Sequence, residues 1–271
     1  FKRKTLSIPG DKSISIRFIL LSSLTKGRCV AYNLLDSEDV NSAIKSIRKL
    51  GIKINLKKSF CEVYGRGLFG FKYKKNLILD AGNSGTTARL ICSALIDAEY
   101  PVKITGDKSL RSRDMKRIIQ PLKLFGVKFK DNNGKLPLLI KGSKFTKAIN
   151  FTENLGSAQC KSAVMIAALK TNGITKIKSL PSRNHTELIF KNVLKVPINI
   201  KHKKKYDFIE VKGKKEIMPF TYKIPGDISS ASFFIVLTIL SKNSKLILRN
   251  VNINPSRTGI IKILNMMGAQ I

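Results

Sequence analysis

Lys12, Ser13 and Arg17 stand at the expected start of a helix, and the four-residue spacing puts Ser13 and Arg17 on one face. A helix start presents unpaired backbone N–H groups and the positive end of the helix dipole. Hydroxyl and cationic side chains added there make an anion site. The same chemistry recurs along the chain. Asn83-Ser84-Gly85-Thr86-Thr87 opens a second helix, where Gly85 lets a ligand approach the backbone. Arg111 and Arg113 precede another; Ser157, Ala158, Gln159 and Lys161 open a further one; Ser182 and Arg183 precede a helix expected from Thr186. Taken singly, each Ser or Thr reads as a plain N-cap and each Arg as solvated surface. Together they predict an anionic ligand with more than one phosphate or carboxylate, if the fold gathers these helix starts. Ile228-Ser229-Ser230 opens a comparable helix without cations and reads as the purely structural version.

The elements that must do the gathering are repeats. Residues 8–27 (IPGDKSISIRFILLSSLTKG) and 224–243 (IPGDISSASFFIVLTILSKN) are identical at ten of twenty positions, an internal duplication with an offset of 216. Two weaker copies lie between them, so that Ser13, Ser84, Ser157 and Ser229 are spaced 71, 73 and 72 residues apart. Each serine opens a helix with apolar residues at helical spacing, such as Ile16, Ile19, Leu20 and Leu24. A second helix is expected in each unit, over residues 38–50, 113–125, 186–194 and 257–267, three of them stopped by Gly51, Gly126 and Gly268. Short strands with Lys alternating against apolar residues follow, as in residues 52–56 and 127–130. The unit reads as βαβαββ, about 72 residues long, and buries its apolar face against its own copies. Three units are complete, and the fourth stops near residue 268, so the chain reads as a fragment; the absence of an initiator Met agrees.

Composition narrows the class. Hydrophobic residues make up 43% and charged residues 25% of the 271, as in a folded soluble protein. A membrane span needs about 18 consecutive apolar residues, which the sequence lacks, and F-K-R-K is followed by no apolar signal region. The four cysteines are scattered and the two histidines, His185 and His202, cannot build a metal cluster alone; free thiols in a reducing cytoplasm are expected. The net charge of +34 raises nucleic acid as a partner. Arg supplies only 12 of the 51 cations, however, and Lys is spread through every segment, with one dense run at residues 201–205 that reads as a hairpin tip. Diffuse Lys argues against nucleic acid and leaves small anions open.

Several stretches together resemble 5-enolpyruvylshikimate-3-phosphate (EPSP) synthase, an enolpyruvyl transferase. They are P-G-D-K-S-I-S-x-R at residues 9–17, G-N-S-G-T-T-x-R at 82–89, S-L-R-S-R-x-M-K-R at 109–117, S-A-Q-x-K-S-A at 157–163, S-R-N-H-T-E at 182–187 and N-P-S-R-T-G at 254–259. The resemblance implies an α/β fold: pseudo-threefold βαβαββ repeats forming an inside-out α/β barrel in each of two domains, with substrates between them. The expected division is a three-repeat domain over residues 12–221, with residues 1–11 and 222–271 opening the second. It implies transfer of the enolpyruvyl group of phosphoenolpyruvate to the 5-hydroxyl of shikimate 3-phosphate, with release of phosphate. No cofactor is implied, and a cytoplasmic monomer without nucleic acid or membrane is expected.

Residue by residue, the resemblance implies that Lys12 contacts both substrates and is a candidate proton donor. Ser13 and Arg17 hold shikimate 3-phosphate; Gly85 and Arg113 bind phosphoenolpyruvate, with Asn83 and Thr86 supporting that loop. Ser157 and Ala158 line the shikimate phosphate site, Gln159 lies over the ring, and Ser182 and Arg183 complete it. Ile16 and Asp114 depart from the family's usual residues, which are polar and Pro respectively. The acidic proton acceptor is expected in units beyond this chain, because Asp227 aligns with Asp11 in the repeat and reads as a turn residue. Gly85 is expected to leave room for a phosphonate mimic such as glyphosate. Two alternatives stand beside this reading. The sister enzyme acting on UDP-N-acetylglucosamine carries a Lys-Asn pair where Lys12 is here followed by Ser13. A polyanion- or nucleic-acid-binding repeat protein would account for the charge alone.

Overall fold

The computed structural model describes residues 3–213 and 216–271. After β1 (Lys4–Ser7), the first unit runs through α1 (Lys12–Ser23), β2 (Lys26–Tyr32), α2 (Glu38–Lys49), β3 (Lys53–Lys57) and β4 (Phe60–Arg66). The second comprises β5 (Ile78–Asp80), α3 (Gly85–Ala94), β6 (Val102–Thr105), α4 (Lys108–Ser112), α5 (Lys116–Leu124), β7 (Lys128–Asn132) and β8 (Lys135–Lys141). The third comprises β9 (Asn150–Glu153), α6 (Ala158–Ala168), β10 (Ile174–Ser179), α7 (His185–Leu188), β11 (Ile198–His202) and β12 (Asp207–Lys212). β13 (Thr221–Lys223), α8 (Ile228–Leu240), β14 (Leu246–Arg249) and α9 (Gly259–Met266) follow.

Three four-stranded sheets share one pattern, β13-β2-β4-β3, β5-β6-β8-β7 and β9-β10-β12-β11. In each the first pair is parallel and the others antiparallel. The sheets remain separate and close no barrel. The helices that open the units lie inside: ten of twelve residues of α1 and ten of eleven of α6 are buried. Such helices are buried on nearly every side, which suits a core rather than a surface position. Burying a side chain such as Phe18 or Ile19 contributes about 1.5–3 kcal/mol each, and both are under 3% exposed.

The first sheet borrows its edge. β13 pairs in parallel with β2 and takes the place that β5 and β9 hold in their own units. β1, which precedes α1, pairs instead with β14. The chain therefore crosses twice between the three-sheet body and the β1–β14 pair, at Gly10 and Gly226, which bridge each other. The boundary expected after residue 221 falls inside β13.

Second helices differ from their expected spans. The one expected over 113–125 begins only at Lys116, as α5, and the short helix α4 lies ahead of it, capped by Asp107 and left with extended backbone at Arg113. That over 186–194 begins one residue earlier and widens after α7 into a π-type turn, Ile189–Val193, closed by Leu194 N–H to Ile189 O at 2.9 Å. Gly51, Gly126 and Gly268 do stop their helices, with φ of 85°, 95° and 92°. The Lys-rich run at 201–205 covers the end of β11 and the turn into β12. All four cysteines are free and buried, and no described helix is long and apolar enough to cross a membrane.

Candidate active site

Four helix starts converge on one cleft of about 620 Å³. Asp11 caps α1, its Oδ1 accepting from Ile14 N at 3.0 Å; Ser84, Ser157 and Asp227 cap α3, α6 and α8 in the same way. The repeat thus fixes the backbone at each start, and side chains one to six residues further on supply the chemistry.

Lys12 lines the cleft with its ammonium 3.0 Å from Asp39 Oδ2, on the first turn of α2. Arg17 is buried, and its guanidinium is spanned by protein: Nε donates to Thr186 Oγ1 at 2.8 Å, Nη1 to Ser13 Oγ at 2.6 Å, and Nη2 to Ser162 Oγ at 3.0 Å. Burial pushes its pKa down to about 10, partly opposed by Glu187, so it remains a cation at neutral pH. On the second unit, Arg113 donates to Asn83 Oδ1 at 2.7 Å while Asn83 donates to Asp107 at 2.6 Å. Gln159 links the units, donating to Thr86 Oγ1 at 2.9 Å and accepting from Arg89 Nη1 at 2.6 Å. Gly85 leaves its space to two guanidiniums: a Cβ there would stand 3.1 Å from Arg89 Nη1 and 3.3 Å from Arg113 Nη1.

Of the expected residues, Lys12, Ser13, Arg17, Asn83, Gly85, Thr86, Arg113, Ala158, Gln159 and Arg183 line this cleft. Ser157 and Ser182 do not. Ser157 caps α6 by accepting from Cys160 N, and Ser182 Oγ is buried without a partner. Lys161 departs further from its expected place at the anion site. It points into the protein, fully buried, 2.6 Å from Glu187 Oε1. Arg111 sits exposed in the last turn of α4 and outside the cleft lining.

Sequence reasoning missed Asp39, Arg89, His185 and Arg257, all of which line the cleft. Arg89 lies four residues after Gly85, the same spacing that marked Arg17 after Ser13, and could have been found by it. Arg257 corrects the reading of the fourth helix start as cation-free. It comes from the loop before α9 and donates to Ser229 Oγ at 2.7 Å and Asp227 Oδ1 at 3.3 Å. Asp227 caps α8, as its alignment with Asp11 requires, and also lines the cleft. In all, Lys12, Arg17, Arg89, Arg113, Arg183 and Arg257 face two carboxylates, Asp39 and Asp227, both already paired. Burial lowers the pKa of Arg89, as do Arg117 and Arg113 beside it. A cleft of this make-up attracts small polyanions and has reason to hold more than one. Among the described residues no group of three or more metal-ligating side chains is present.

Sheets of this order outside buried helices, with helix starts aimed into an arginine-lined cleft, define the enolpyruvyl transferase class of α/β proteins. The sequence profile for EPSP synthase (3-phosphoshikimate 1-carboxyvinyltransferase) matches residues 3–271, and the chain belongs to that family. A 3-phosphoshikimate 1-carboxyvinyltransferase of Thermoanaerobacter sp. (strain X514) is 41% identical over 100% of this chain and 63% of its own length. One from Lactococcus lactis is 40% identical over 98% of this chain and 61% of its own. An EPSP synthase structure from Acinetobacter baumannii superposes with a TM-score of 0.88 at 32% identity, covering 99% of this chain and 60% of that one. The chain therefore spans about three fifths of the relatives it matches.

Proposed function

We propose that the protein to which this chain belongs transfers the enolpyruvyl group of phosphoenolpyruvate to the 5-hydroxyl of shikimate 3-phosphate, releasing phosphate. The observation that carries this reading is the convergence of Lys12, Arg17, Arg89, Arg113 and Arg183 around one cleft. Each substrate brings a phosphate and a carboxylate, so their mutual repulsion must be offset before the 5-hydroxyl can meet the enolpyruvyl carbon. Cations fixed in a cleft do this without reorganising at the moment of reaction. Ser13, Arg17, Ala158 and Arg183 form the shikimate phosphate end. Asn83, Gly85, Thr86 and Arg113 form the phosphoenolpyruvate end, and Gln159 spans the two. Lys12, held by Asp39, is placed to give a proton to the methylene carbon or to the departing phosphate oxygen. The reading places the protein in the cytoplasm, acting on small anions rather than nucleic acid.

Both cleft carboxylates are engaged in ion pairs, Asp39 with Lys12 and Asp227 with Arg257, and the acidic proton acceptor is expected in units beyond this chain. The 271-residue chain is therefore expected to bind shikimate 3-phosphate and to turn over little. Calorimetry with shikimate 3-phosphate tests the reading, with the Lys12→Ala, Arg17→Ala double variant expected to lose the binding heat. Salt-sensitive DNA binding without a shikimate 3-phosphate heat would sink it, as would multiple turnovers by the purified 271-residue chain for the assignment of roles.

A further inference from the structure

At the Arg17 end of the cleft the structure leaves polar atoms unpaired. His185, the first residue of α7, lines the cleft and is only 3% exposed, and its Nε2 is buried without a hydrogen-bond partner. Ser182 Oγ, three residues earlier, is buried and unpartnered as well. Buried polar atoms are rarely left so, and His185 Nε2, on a residue that lines a cationic cleft, points to an anionic ligand there. The residues on either side of His185 are tied to other elements. Thr186, the next residue, receives Arg17 Nε at 2.8 Å, and Asn184, the residue before, accepts from Asn254 Nδ2 at 2.7 Å.

The charges facing His185 come from every side of the cleft end. Arg17 reaches it from α1, Arg183 from its own loop and Arg257 from the loop before α9, with only Asp11, the α1 cap, opposing them. On α7 itself, Glu187 is neutralised by Lys161 from α6. We infer that His185 is a further ligand of the phosphate site and takes up a proton when a phosphate dianion seats between Arg17 and Arg183. The inference rests on the reading of this cleft end as a phosphate site. The proton comes from the solvent buffer, so no group in the protein loses one.

Two physical facts support it. Burial and then Arg17 push the His185 pKa down to about 4, with Arg257 and Arg183 adding to the effect, so the ring is neutral at pH 6. An opposite charge within about 4–6 Å moves a pKa by about one to three units. A dianion beside the ring brings two such charges and returns it past its ordinary value of about 6.5. Nε2–H then donates to the phosphate, and the unpaired atom gains its partner.

The chain has two histidines, so their imidazole resonances separate the question cleanly. At pH 6, saturation with shikimate 3-phosphate is expected to move the His185 ring signals from the neutral to the imidazolium position, while His202, already paired with Asp207, stays. His185→Gln is expected to weaken binding about tenfold at pH 6 and to remove the proton uptake, measured in two buffers of different ionisation heat. The phosphorus signal of the ligand separates this uptake from protonation of the phosphate itself. Binding with an unmoved His185 signal overturns the inference and leaves the proposed function standing. No binding of shikimate 3-phosphate sinks that function; inorganic phosphate is then the probe, and a His185 signal unmoved by it overturns the inference too. Both ring measurements use the unaltered chain, so a His185→Gln variant that fails to fold does not shield the idea.

Discussion

Gly85 shows how much one missing carbon can decide. A methyl there would sit 3.1 Å from Arg89 Nη1 and 3.3 Å from Arg113 Nη1, tighter than ordinary van der Waals contact. Both guanidiniums are tethered, Arg89 to Gln159 and Asp114 and Arg113 to Asn83, so neither swings aside freely. Gly85→Ala should therefore weaken phosphoenolpyruvate and phosphonate binding in a full-length enzyme carrying this site by about tenfold, the scale of one misplaced methyl group. Shikimate 3-phosphate should bind nearly as before, and titrations of the two ligands check the split. His185 yields a second expectation, this time on stability. Its folded pKa of about 4 lies below the ordinary 6.5, so the unfolded chain binds the proton more readily between those values. That depression leaves stability intact above pH 6.5 and erodes it as pH falls towards 4. Between pH 7 and 4.5 the loss from this group is about 2.5 kcal/mol. Urea unfolding of His185→Gln should show a pH dependence shallower by that amount; equal slopes would mean that the ring is not held neutral.

Among the elements, α6 and α7 are joined by a buried pair that serves packing rather than ligand. Lys161 and Glu187 are 0% and 3% exposed at the side chain and 2.6 Å apart. Removing one partner strands a charge, so Lys161→Met should cost about 3–5 kcal/mol, while Lys161→Met with Glu187→Leu should come close to neutral. Thermal or urea unfolding of the three chains checks it, and an equally damaged double variant would refute it. The pair also marks where the sequence stopped being legible. The spacing of Ser13, Ser84, Ser157 and Ser229 carried the four helix starts and the cleft between them, because caps are local and repeats are periodic. Which face of α6 Lys161 takes depends on α7, a partner distant in sequence, and no local pattern records that. The exchange of β1 and β13 between sheets is hidden for the same reason: both precede the same I-P-G-D turn, so only tertiary packing tells their destinations apart. Arg257 escaped notice because it reaches α8 from another element.

At the scale of the molecule, α1 and α8 are one sequence in two environments. They descend from the duplicated twenty-residue segment, identical at ten of twenty positions. α1 lies inside the three-sheet body with ten buried residues; in α8 only Ile228 and Ala231 are buried. Phe233, Leu237 and Leu240 are 78%, 56% and 78% exposed, and Met266 and Met267 of the neighbouring α9 region are 79% and 77% exposed. The two bodies differ accordingly in what holds them. One large core unites α1 to α7 with the three sheets, whereas Ile8, Ile228 and Ala231 form the buried centre of the other. With so little apolar area to lose, α8, β14 and α9 should open without the rest unfolding. Hydrogen exchange of the 271-residue chain should then show amides in α8 and α9 exchanging about a hundredfold faster than those in α1, α3 and α6. The backbone hydrogen bonds are of the same kind in both helices, so a difference must come from burial. The double variant Phe233→Lys, Leu240→Lys separates this from self-association through the apolar face: it should lower dye binding to exposed apolar surface while leaving α1 protection unchanged. Equal protection in α1 and α8 would mean that the second body is held by something other than its small core.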